Sequence, residues 1–185
     1  MFILILGVAL WWAAHLFKRL APERRAAMGD RGKGLVAGLL VLSVLLMVIG
    51  YQRAEGAFYW GNSAASIGIN NLLVLLAFYL YAASGMKTRV TAYLRHPQLT
   101  AFSLWAVAHL LVNGTMPGII LFGGLLAWAL VEMALISRTS PAWVRPAGPF
   151  PARKEAMAAA GAVIVMLVVG VIHGWLGPWP FGGAA

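Results

Sequence analysis

Residues 35–51 read LVAGLLVLSVLLMVIGY, seventeen positions with no charged side chain. Apolar groups fall at every angle round a helix, so the stretch has no polar side to present to water. Five further stretches read the same way, at residues 2–17, 64–86, 98–113, 117–137 and 156–176. Each approaches the roughly 20 residues that a helix needs to cross a hydrocarbon core. The expected fold is therefore an all-α integral membrane protein, a bundle of about six transmembrane helices forming one domain over residues 1–185. Composition agrees: 62% of the chain is hydrophobic and 10% is charged, with a mean hydropathy of +0.84.

The net charge of +9 does not point to nucleic acid, because the cations are not gathered on one face. Lys18, Arg19, Arg24, Arg25, Arg31 and Lys33 follow the first stretch. Lys87, Arg89 and Arg95 follow the third, and Arg138, Arg145, Arg153 and Lys154 follow the fifth. Only Arg53 lies on the remaining connections. The positive-inside rule makes the basic side cytoplasmic, with both termini outside and the protein multi-pass in the inner membrane. Lys18 and Arg19 come after the first apolar run, the reverse of a secretory signal, so that run is expected to remain as a helix. With no cysteine, thiolate ligation and disulfides are excluded.

Polar residues inside the spans are the candidates for chemistry. Counting about 1.5 Å per residue puts His96 at the cytoplasmic surface, His15 about 5–10 Å below it, and His109 about 15 Å deep. His173 falls close to the outer surface. On the fourth stretch Gln98, Phe102, Trp105, His109 and Asn113 share one helix face. His96 lies about 20 Å along that helix from His109, so the two cannot share a metal. Neutral imidazole is a common haem ligand, and His15 and His109 come from different helices at comparable depths. For Asn70 and Asn71 a hydrogen bond between helices is expected. Glu132, the one acid within a span, is expected to reach Arg138 or the interface. Gly34 with Gly38, and Gly170 with Gly174, have the spacing for close helix contact. Trp60, Trp143, Trp175 and Trp179 read as interfacial anchors. The proline-rich residues 141–151 read as a loop.

The stretch Arg95-His96-Pro97-Gln98, the segment running Trp105-Ala106-Val107-Ala108-His109-Leu110-Leu111-Val112-Asn113-Gly114, and Leu121-Phe122-Gly123 together resemble the NnrU family, which includes the 15-cis-zeta-carotene isomerases. Ala14-His15-Leu16 and His173 also fall where that family has histidines. The resemblance implies haem b held by two histidines, here His15 and His109, with His173 in reserve. Trp105, Phe102 and Asn113 would line the pocket, and Arg95 and His96 would stand at a cytoplasmic opening. It further implies redox-dependent cis-trans isomerisation of a hydrophobic polyene, with a redox partner. A bacterial branch is associated with nitrite and nitric oxide metabolism, which leaves a haem sensor or electron-transfer protein as the alternative. Thr115 departs from the pattern, standing where an acidic residue often follows Asn-Gly. The Arg-His-Pro triplet also resembles membrane methyltransferases that use S-adenosylmethionine, but the C-terminal acidic pair of those enzymes is missing here.

Overall fold

In a computed structural model that describes residues 1–140 and 142–182, the chain is mostly helical. The long helices are α1 (Phe2–Leu20), α3 (Gly29–Arg53), α4 (Ala64–Met86), α5 (Pro97–Val112), α6 (Met116–Thr139) and α7 (Ala152–Leu176). A short α2 (Pro22–Ala27) lies between the first two. Five of the six long helices are long and apolar enough to cross a membrane; α5, at 16 residues, is the shorter apolar one. In each of those five, no more than 28% of the apolar stretch is buried inside the protein. Val44, Leu45 and Val48 on α3, and Ile164, Leu167 and Val168 on α7, all lie exposed. An apolar surface of this extent needs a lipid solvent.

The helices stand in a row, α3, α1, α6, α5, α4 and α7, each packing chiefly on its neighbours in that order. Core side chains mark the seams: Leu4, Val8, Met47 and Leu125 between α3, α1 and α6, and Ala77, Leu80 and Ala101 between α4 and α5. The closest seam, α1 on α3, is set by glycine. A Cβ at Gly7 would lie 2.8 Å from the Met47 backbone nitrogen, and one at Gly50 would run into the backbone of Ile3 and Leu4. The glycine pairs picked out by spacing do otherwise. Gly34 and Gly38 have nothing within 4 Å of an added Cβ, whereas Gly170 and Gly174 are covered by the rings of Phe181 and Trp179.

Local chemistry explains the helix ends. Ser63 starts α4 with a capping box: its hydroxyl accepts from Ser66 N at 3.1 Å, and Ser66 Oγ accepts from Ser63 N at 2.7 Å. Thr115 starts α6, its hydroxyl accepting from Gly118 N at 3.2 Å. A side-chain acceptor is what that position needs, and threonine supplies one without a carboxylate. Within α6, Ile119–Gly123 widens into a π-turn, and Gly124 O just beyond accepts the Trp12 indole N–H at 3.0 Å.

A two-stranded pair, β1 (Phe58–Trp60) and β2 (Gly114–Thr115), joins the α3–α4 connection to the α5–α6 connection. The Trp60 indole donates to Leu110 O at 3.0 Å, so this tryptophan closes the end of α5 and is more than an interfacial anchor. Asn70 Nδ2 donates to Asn71 Oδ1 at 3.1 Å, a bond within α4 and not the expected one between helices. Residues 142–151 are without helix, as the prolines predict, while Pro141 lies outside the described residues.

Candidate functional site

Where α1, α5 and α6 meet, aromatic and imidazole rings form a continuous row. On α1, Trp11 and His15 are one turn apart with ring centroids at 4.2 Å. From α6, Trp128 lies 4.4 Å from His15 and 5.2 Å from Trp11. Phe102 on α5 stands 5.2 Å from Trp128, and Trp105 follows at 5.2 Å from Phe102. Trp105 is 4.8 Å from His109, and Phe122 of α6 is 4.8 Å from the same imidazole. The three- and four-residue spacing of Phe102, Trp105 and His109 keeps them on one face of α5, as the sequence pattern requires.

His15 and His109 are thus in one row without touching. Phe102 and Trp105 stand between them, and their levels differ. His15 is five residues from the basic end of α1, about 8 Å, whereas His109 is twelve residues from the basic end of α5, about 18 Å. His109 lies three residues before the far end of this short helix. His173 stands three residues before the end of α7, matching the place of His109 on α5, and is within electrostatic reach of it.

Each of these three histidines is oriented by its own backbone. Nδ1 of His15 bonds Trp11 O at 3.0 Å, Nδ1 of His109 bonds Trp105 O at 2.9 Å, and Nδ1 of His173 bonds Pro178 O at 2.7 Å. A carbonyl oxygen only accepts, so Nδ1 carries the proton in every case. In the neutral ring the lone pair is then on Nε2, the nitrogen that leads away from the helix. His96 is different, because its Nε2 is the bonded atom, 3.0 Å from Ser137 Oγ.

Glu132 and Arg19 complete the basic end of the row. Arg19 Nε donates to Glu132 Oε1 at 2.9 Å, so the carboxylate is held by α1 and does not reach for Arg138. Its second oxygen, Oε2, and the indole nitrogens of Trp11 and Trp128 are buried with no protein partner. Two of these three atoms belong to the rings flanking His15. Such unmet hydrogen-bonding demand suits a polar ligand or ordered water.

Arg95 and His96 do not open into this row. Arg95 Nη2 donates to Ser140 O and His96 bonds Ser137, so both fasten the start of α5 to the end of α6. Burial and the adjacent Arg95 charge hold the His96 imidazole below its ordinary pKa. Asn113 Nδ2 donates to His109 O at 2.9 Å, closing the last turn of α5. Trp128 and Phe122 were not singled out from sequence as parts of the site. Trp128 could have been, since it is one helical turn before Glu132, the acid in the same span.

Among the described residues there is no group of three or more His, Cys, Asp or Glu side chains able to hold a bare metal ion. A haem iron asks less of the protein, because the porphyrin fills four positions and one or two imidazoles complete the set. The donor chemistry of His15, His109 and His173 fits that demand. His109 is within electrostatic reach of His173, while Phe102 and Trp105 stand between it and His15.

Fold and site define a polytopic all-α membrane protein with backbone-oriented histidines beside a row of aromatic rings. The sequence model described as NnrU protein matches residues 3–180, and the chain belongs to the NnrU family. No curated protein and no solved structure matches it.

Proposed function

We propose that this NnrU-family protein binds haem b in the inner membrane, with its basic end toward the cytoplasm. His109 serves as one axial ligand, with His15 or His173 as the other. The observation that supports this reading is the shared orientation of the three imidazoles, each with Nδ1–H given to a backbone carbonyl and Nε2 left for a metal. Bound there, haem would supply reversible one-electron chemistry. The aromatic rings would exclude water and fix the orientation of the imidazoles. An apolar groove of about 760 Å³ along α1 and α6, lined by Val8, Trp12, Leu16 and Ile120 among others, suits an elongated hydrocarbon such as a polyene.

The second reading is a non-catalytic haem sensor or electron-transfer protein. It is favoured by the unbroken run of rings from His15 to His109, whose neighbouring centroids are between 4.2 and 5.2 Å apart. Absorption spectra of protein purified after expression with ample haem test both readings. A Soret band that shifts in His109→Ala and in either His15→Ala or His173→Ala, but not in His96→Ala, is expected. Absence of any Soret band would refute haem binding, and polyene turnover then separates the enzyme from the carrier.

A further inference from the structure

We propose that the groove between the end of α4 and the start of α7 is a binding site for an anionic phospholipid. The groove has a volume of about 590 Å³, and Lys87, Arg153 and Lys154 surround its floor of Gly85, Met86 and Met157. Among the described residues the ion pairs are Arg19 with Glu132 and Lys33 with Asp30, and neither involves these three cations. The nearest acid in sequence, Glu155, is already engaged: Oε1 accepts Arg89 N at 2.6 Å and Oε2 accepts the Tyr79 hydroxyl at 3.3 Å. Glu155 bonds neutral donors and keeps its charge, so the concavity carries three cations against one carboxylate, a net positive balance that suits an anion.

The position of the groove selects a lipid over a free anion. It sits where two long apolar helices reach their basic ends, the level at which phospholipid headgroups lie. Its floor is apolar, which suits a glycerol ester and the start of an acyl chain and adds nothing to the binding of inorganic phosphate. Along α7 from the groove, Val163, Ile164 and Leu167 are exposed and continue the apolar surface. The floor also has room, since a Cβ built on Gly85 meets nothing within 4 Å. A phosphodiester held by Lys87, Arg153 and Lys154 with its chains laid down the α4–α7 seam would use every part of the surface.

Native mass spectrometry of the full chain in detergent, titrated with dioleoyl phosphatidylglycerol, tests this. The triple variant Lys87→Gln, Arg153→Gln, Lys154→Gln should bind the lipid about 100-fold more weakly. A control removing the same charge elsewhere at the basic end, Lys18→Gln, Arg24→Gln, Arg31→Gln, should bind within about threefold of the parent. Gly85→Leu, which fills the floor and leaves every charge, should abolish the tight adduct. Dioleoyl phosphatidylcholine should bind the parent at least about tenfold more weakly than phosphatidylglycerol, since its headgroup carries no net charge. Equal loss in the control triple, unaltered binding in Gly85→Leu, or equal affinity for phosphatidylcholine would overturn the proposal. So would displacement by equimolar glycerol 3-phosphate, which would mark a site for free anions. The outcome is independent of haem binding.

Discussion

The Nε of Arg19 lies 2.9 Å from Oε1 of Glu132, joining α1 to α6 across 113 positions of sequence, and only 7% of the Glu132 side chain is exposed. The contact fixes the rotation of both helices, and with it the approach of Trp128 to His15. Removing one partner strands the other, so Arg19→Ala should destabilise the protein by about 3 kcal/mol, the lower edge for a buried pair because Arg19 is itself 25% exposed. Adding Glu132→Gln to that variant should recover at least half of the loss. Thermal unfolding midpoints in detergent measure both, and a double variant no more stable than Arg19→Ala would show that the ion pair is not the cause.

The α1–α3 seam predicts a contrast among glycines. Gly50→Ala pushes a methyl group into the Leu4 backbone, which cannot yield as a side chain end can, and should cost about 3 kcal/mol. Gly34→Ala and Gly38→Ala meet open space and should be neutral or slightly stabilising, since alanine is the better helix former. Yields and melting midpoints of the three variants check this, and similar losses in all three would contradict the packing.

Asn113 is expected to act through the helix end. Asn113→Ala should lower stability by about 1 kcal/mol by removing the bond to His109 O, and leave the Soret position of a haem-loaded protein unchanged. A moved Soret band at unchanged stability would place the side chain against the cofactor.

His96 predicts a pH effect of known sign. Its pKa is lowered in the folded protein, so the unfolded chain takes up the proton more readily once the pH falls below about 6.5. The stability from the neutral, Ser137-bonded ring is complete above that pH and is lost as the pH falls toward the folded value. Between pH 7.5 and 5.5 the parent's melting midpoint should therefore fall further than that of His96→Asn. Parallel curves would argue that His96 does not titrate against folding.

Much of this architecture can be read from hydropathy and charge. The apolar stretch at residues 64–86 became α4 with the same ends, because Ser63 and Ser66 close one end by a strictly local bond and the lysine at 87 caps the other. The face of α5 was equally legible, since Phe102, Trp105 and His109 recur at the helical period. Partners on distant helices were not. Glu132 finding Arg19, and Gly50 finding Leu4, depend on which helices become neighbours, and hydropathy carries no such information. The β1–β2 pair was missed for a related reason: strands of three and two residues have no pattern of their own and exist because two connections meet. The α2 helix is short and polar, and its start at Pro22 is the one local sign of it.

The ring row also makes the protein its own optical reporter. Trp11, Trp105 and Trp128 lie within 4.8 Å of His15 or His109, measured between ring centroids. Three indole emitters are thus built against the imidazoles, while Trp60, Trp143, Trp175 and Trp179 belong to connections and helix ends. A chromophore seated on His15 or His109 would quench the emission of these three indoles. Titration of the unlabelled protein, followed by the colour and intensity of its ultraviolet emission, would then report occupancy of the site directly.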